Sequence, residues 1–186
     1  MLDYNAVKTK AARLRALSGG NIRAAIDILD LTLLELSLGT EPDSIRAFIL
    51  KNSRCAAIVL NADLADDAVP FILAHEAGHY VMNHLKGNAC AMQDREFTWR
   101  AGNTDLARRE NEATFFAAEF LLDTAETLSL LHEYDLLTAA SMLKVPPEFL
   151  EFKARLMARD GLIADYQDPL PVRSDFLRRT PLRPGP

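Results

Sequence analysis

The sequence predicts a mostly helical α+β fold in which one apolar helix lies beside a small β-sheet, with further helices before and after it. Three observations carry this expectation. Apolar residues recur at helical spacing over most of the chain, a single β-branched run (AAIVLN, residues 56–61) breaks that period, and an apolar helix-forming segment follows the run directly. The chain has 186 residues, 49% of them hydrophobic and 25% charged. That balance is ordinary for a globular protein and supplies a core without cross-links.

Taken in order, residues 6–17 have loosely helical spacing (Val7, Ala11, Leu14, Leu17) and stop at Gly19-Gly20. IRAAIDILDLTLLELSL predicts a second helix, over 21–38, closed by Gly39. Pro42-Asp43-Ser44 predicts the start of a third, through IRAFILKN, with Ser44 as its cap. Residues 56–61 read as a strand. Asp66 or Asp67 is the expected cap of a helix over 68–85, with Pro70 in its first turn and Gly87 ending it. Residues 87–103 have no clear period and suit a loop, or a loop around a strand such as EFTWR. Thr104 or Asp105 starts a strong helix over 105–122. Helices are expected again over 134–143 and 147–158, before a Pro- and Arg-rich tail that reads as extended or disordered. The expected organisation is a helical subregion at 1–55, a central core at 56–130, a helical pair at 131–166 and a tail at 167–186.

Composition narrows the function classes. Cys55 and Cys90 are far apart and form no CxxC, which suits free thiols in a reducing compartment. The N-terminus has scattered charges and no apolar run, so neither a signal peptide nor an anchor is expected. No stretch reaches the roughly 18 apolar residues of a membrane span, and the expected location is the cytoplasm. Net charge is −5, against the basic balance of a general nucleic-acid binder. LTAASMLKVPPEFLEFKARL has a helix-turn-helix rhythm, but from Lys144 onward eight Lys/Arg are matched by six Asp/Glu. Direct nucleic-acid binding is therefore not the expected role of this pair, which suits packing or docking of a protein.

FILAHEAGHYVMNH concentrates the chemistry. His75 and His79 are four residues apart, about 40° around a helix, so both imidazoles can reach one metal ion. Glu76 sits one residue on, placed to act as a base toward a water on that ion. Three of the chain's four histidines lie in this stretch, among Phe71, Ile72, Leu73, Ala74, Ala77, Val81 and Met82. Polar groups in so apolar a helix need partners, which favours a metal site over chance. Gly78 leaves room for close packing beside it. His84, nine positions after His75, would point about 180° away on a continuous helix; a capping or supporting role is expected, and not ligation.

A catalytic zinc takes three protein ligands and keeps an open position. Met82 and Leu85 stand where an extended HExxHxxGxxH motif would place its glycine and third histidine. A carboxylate from another helix is then expected, and RRENEATFFAAEFLLD offers Glu110, Glu112 and Glu119. Glu112 and Glu119 share a face, whereas Glu110 is about 200° from Glu112 and reads as solvated beside Arg108 and Arg109. Periodicity does not choose between Glu112 and Glu119.

HEAGHYVMNH followed by ENEATFFAAEFLLD resembles the ImmA/IrrE family of metallopeptidases, whose signature is similar to HExGH, a further His, and then EANxFAAExLMP. The resemblance spans Ile58 to about Asp123 and continues more weakly through ASMLKVPPEFLEFKARL. Thr114, Asp123 and Pro146 depart from the family's Asn, Pro and Ser, and the segment between His84 and Glu112 is longer. The resemblance implies a zincin-like core with Zn²⁺, or another divalent metal, held by His75, His79 and Glu112. It further implies Glu119 as a supporting carboxylate and Ile58, Val59, Leu60 and Asn61 as an edge strand that holds extended substrate. The implied activity is site-specific cleavage of a helix-turn-helix repressor controlling phage, mobile-element or stress genes. The alternative is an antirepressor or toxin–antitoxin component that acts by binding, with a structural or silent zinc site. Tyr80 and His132 are possible polarising groups that read better as packing and surface residues, and Phe97 and Trp99 suit a small local core.

Overall fold

A computed structural model describes residues 4–41, 44–85, 90–94 and 104–163, the segment 90–94 by its backbone alone. They divide at Leu121 into two units. In the first, α1 (Tyr4–Ser18) buries Val7, Ala11 and Leu14 along one stripe and ends where Gly19 and Gly20 turn to positive φ, at 62° and 77°. The Asn21 side chain then accepts hydrogen bonds from the backbone N–H groups of Arg23 and Ala24, which caps α2 (Ile22–Ile28).

The long helix expected over 21–38 is a helix, a turn and a strand. Asp30 adopts a φ of 54°, which ends the helical path, and Thr32–Leu36 continues as β1. The segment after Ser44 is likewise a strand, β2 (Ala47–Lys51). Its burial alternates at the start, with Ala47 and Ile49 fully buried and Phe48 less so. Both stretches are rich in residues that suit a helix, and strand pairing overrides that preference. The first 55 residues are thus not a helical subregion, because they supply two strands of the sheet.

β3 (Ala56–Asn61) has the predicted bounds and a central place. The mixed sheet has the order β1-β3-β2-β4, with β4 at Cys90–Asp94. β3 pairs in parallel with β1, from Thr32 opposite Ala57 to Leu36 opposite Asn61, and antiparallel with β2, from Ala47 opposite Leu60 to Lys51 opposite Ala56. Ile58, Val59, Leu60 and Asn61 therefore belong to an interior strand with ladders on both sides, not to an edge that could receive a peptide. The Asn61 side chain is committed as well. Its Nδ2 donates to the carbonyls of Gly39 and Ile45 at 2.9 and 3.1 Å, and its Oδ1 accepts from the Leu38 and Asp63 N–H groups. β4 pairs antiparallel with β2. The expected EFTWR strand, Phe97, Trp99, Gly87 and the tail from 167 lie outside the described residues.

α3 (Val69–Val81) packs on β2 and β3 and is buried without interruption from Phe71 to His79. Pro70 lies in its first turn, and the cap residue is Ala68, with no side-chain cap bond from Asp66 or Asp67. The helix stops at Met82, short of the expected Leu85, because Asn83 enters the left-handed region at φ 58°. The Asn83 N–H bonds the Tyr80 carbonyl and the His84 N–H bonds the His79 carbonyl, each at 3.0 Å. This is the paired closure of a Schellman motif.

α4 (Asp105–Leu121) begins where Thr104 Oγ1 accepts from the Ala107 N–H, and it is buried at every position from Glu110 to Ala118. Arg15 closes its far end, with Nη1 donating to the Phe120 and Leu121 carbonyls at 2.6 and 3.0 Å. α3 and α4 touch at Gly78. A Cβ there would lie 3.1 Å from Ala113 Cα, Ala113 O and Phe116 Cβ. A residue without a side chain leaves room for this approach, whereas a Cβ would require the Ala113 backbone to give way.

The second unit holds α5 (Thr124–Glu133), α6 (Leu136–Leu143) and α7 (Pro147–Arg159). α5 escapes the sequence reading, although Asp123 caps it by accepting from the Ala125 and Glu126 N–H groups. Asp135 caps α6, and Lys153 on α7 donates to Thr124 Oγ1 at 3.0 Å. Among the described residues, no helix is long and apolar enough to cross a membrane.

Candidate metal centre

His75 and His79 project from adjacent turns of α3, and both are 0% exposed. Their Nε2 atoms lie 3.0 Å apart. Glu110, from α4, places Oε2 at 3.5 Å from His75 Nε2 and 3.7 Å from His79 Nε2. Among the described residues these three form the one group whose potential ligand atoms gather within 4.8 Å. A tetrahedral ion with bonds of roughly 2.0–2.1 Å needs donor atoms about 3.3 Å apart. The observed edges of 3.0, 3.5 and 3.7 Å bracket that value. Two imidazoles and one carboxylate, all buried, also form a donor set that suits a catalytic divalent metal.

The carboxylate in this group is Glu110, whereas the family resemblance implies Glu112 and periodicity leaves Glu112 and Glu119 open. Glu110 is 1% exposed and not solvated. Arg108 and Arg109, its expected companions, turn elsewhere. Arg108 pairs with Asp105 at 2.7 Å and with Glu112 at 3.0 Å, while Arg109 pairs with Asp105 and donates to the His84 carbonyl at 3.2 Å. Glu112 Oε2 lies 2.8 Å from His84 Nε2. Its two oxygens thus face His84 and Arg108. Glu119 is part-exposed and stands outside the group. An all-round buried helix has no solvent face from which a ligand can be told apart by period.

Glu76 is also 0% exposed, one residue from His75. On the far side of His75, Nδ1 lies 3.4 Å from Thr114 Oγ1, at the position where the family pattern has Asn. His84, at 4% exposure, stands beside His79 with their Nδ1 atoms 2.9 Å apart and the rings nearly perpendicular. Loss of water lowers the His84 pKa to about 4, and the hydrogen bond to Glu112 opposes that shift without cancelling it. His84 is therefore a neutral ring near pH 7. Hydrogen bonding to Asp105, and then the charge of Glu112, raises the Arg108 guanidinium above its ordinary value.

Tyr80 points to another use, with Lys51 Nζ 5.1 Å from its ring centroid. His132 is exposed on α5.

The family model of the IrrE N-terminal-like domain, Peptidase_M78, matches residues 26–155. No curated protein matches the chain. The match runs from α2 through the His75, His79 and Glu110 group and into α7, well over half of the sequence. The chain belongs to the IrrE N-terminal-like family of metallopeptidases.

Proposed function

We propose that this chain is a zinc-dependent endopeptidase in which His75, His79 and Glu110 hold the metal and Glu76 carries the proton. The buried triangle of His75, His79 and Glu110 on two tightly packed helices is the observation that supports it most. When bound, zinc supplies Lewis acidity toward a water and a peptide carbonyl. Glu76 accepts the proton of the attacking water and returns it to the leaving amine. The apolar surroundings of α3 limit access of bulk water and strengthen each electrostatic contact. Extended substrate would need a sheet edge, which among the described strands is β1 or β4 rather than β3.

The substrate we infer is a helix-turn-helix repressor, cut at one site so that the genes it silences are released. The test is incubation of zinc-loaded protein with a repressor encoded beside it, followed by mass analysis of the products. Glu76→Gln should keep its zinc and lose cleavage. Repressor release by zinc-loaded Glu76→Gln would instead show a protein that acts by binding.

A further inference from the structure

We propose that Glu112 and His84 form a positioning relay that fixes His79 in its Nδ1–H tautomer, so that Nε2 presents a lone pair to the metal. The inference rests on the metal reading above and concerns what prepares His79 for it.

The direction of each hydrogen bond follows from the chemistry of the end group. Arg108 Nη1 donates to Glu112 Oε1 at 3.0 Å. A carboxylate only accepts, so at 2.8 Å from Glu112 Oε2 it is His84 Nε2 that donates. His84 thus turns Nε2 to Glu112 and Nδ1 to His79 Nδ1, 2.9 Å away, a gap that holds one hydrogen bond. A metal at His79 Nε2 takes that nitrogen's lone pair, so the His79 N–H lies on Nδ1 and donates to His84 Nδ1. His79 Nε2 then faces His75 Nε2 at 3.0 Å and Glu110 Oε2 at 3.7 Å. The reverse tautomer would aim an N–H at the same point and block ligation.

The relay is held by the backbone as well as by side chains. The His84 N–H bonds the His79 carbonyl at 3.0 Å, and Arg109 donates to the His84 carbonyl at 3.2 Å. His79 is fully buried, and His84 and Glu112 are each 4% exposed, so water does not compete for these bonds. Partners of this kind set ring orientation and ligand basicity.

Two measurements on the full chain test the relay. Nitrogen-15 imidazole spectra of the metal-free protein should show His79 as the Nδ1–H tautomer, and Glu112→Gln should turn it into a mixture. Zinc affinity, read by chelator competition, should fall about 10–100-fold in Glu112→Gln and in His84→Leu. His84→Gln, whose amide oxygen can still accept from His79, should recover most of it. An Nε2–H tautomer in the wild type would overturn the proposal. So would unchanged zinc affinity in both Glu112→Gln and His84→Leu while His75→Ala abolishes binding. Zinc held at wild-type affinity by His75→Ala would overturn the metal reading, and this inference with it; the tautomer spectra tell that outcome from a failure of the relay alone.

Discussion

His84 Nδ1 stands 2.9 Å from His79 Nδ1 because Asn83, at φ 58°, folds the chain back over the last turn of α3. On an unbroken helix His84 would face away from His75 and His79. The Schellman closure instead brings the residue after the left-handed position against the third residue from the helix end, and those residues are His84 and His79. An apolar contact commonly seals this motif; here two imidazoles do so.

Replacing Asn83 tests that geometry. Asn83→Gly should fold with equal or slightly greater stability, since glycine accepts positive φ at no steric cost. Asn83→Val should cost about 1–2 kcal/mol in denaturant unfolding, and its zinc affinity should fall because His84 leaves its place. Equal stability of the Gly and Val variants would refute a left-handed helix stop at this residue.

Glu110, the proposed third ligand, separates by stoichiometry from its neighbours. Glu110→Ala should emerge from dialysis without metal, whereas Glu119→Ala should keep one zinc per chain. Glu112→Ala should take up zinc at saturating concentration, although less tightly. Metal analysis that finds Glu110→Ala loaded and Glu112→Ala empty would return the ligand role to Glu112.

The contrast between Glu110 and Glu112 also marks how far sequence reasoning reaches. α3, β3, α4 and the His75–Glu76–His79 motif are legible because a period, a cap or a fixed spacing announces each one. β1 and β2 are not, since TLLEL and AFILK hold too few residues to separate a period of 2 from one of 3.6, and the strands form through pairing with β3. Glu110 was hidden for a different reason. Burial at every position from Glu110 to Ala118 removes, over that stretch, the solvent face that a periodicity argument needs. His84 did leave a signal, in an Asn at the end of an apolar helix run, which a reading based on helical angle alone passes over.

Gly78→Ala should separate the two helices that build the site. Alanine improves helix propensity by about 1 kcal/mol, but its methyl would meet the Ala113 backbone at 3.1 Å, and backbone cannot swing aside. Overpacking of this kind costs about 1–3 kcal/mol. Net destabilisation is expected, with weaker zinc binding as Glu110 moves off His75 and His79. Unchanged zinc affinity would show that the Gly78–Ala113 contact does not set the position of Glu110.

In the second unit, Asp135 gives the cap of α6 a pH dependence. Its carboxylate accepts from the Thr138 N–H and from Thr138 Oγ1, each at 2.9 Å, and these bonds hold its pKa below the ordinary 3.8. A depressed folded-state value contributes stability that is present above the unfolded pKa and is lost as pH falls through the folded one. The difference in thermal unfolding between wild type and Asp135→Ala should therefore be constant between about pH 5 and 7 and shrink below 3.8. High salt should reduce it only slightly, because the cap is a short hydrogen bond rather than a distant charge effect. A difference that survives unchanged to the lowest accessible pH would assign the capping to the neutral side chain.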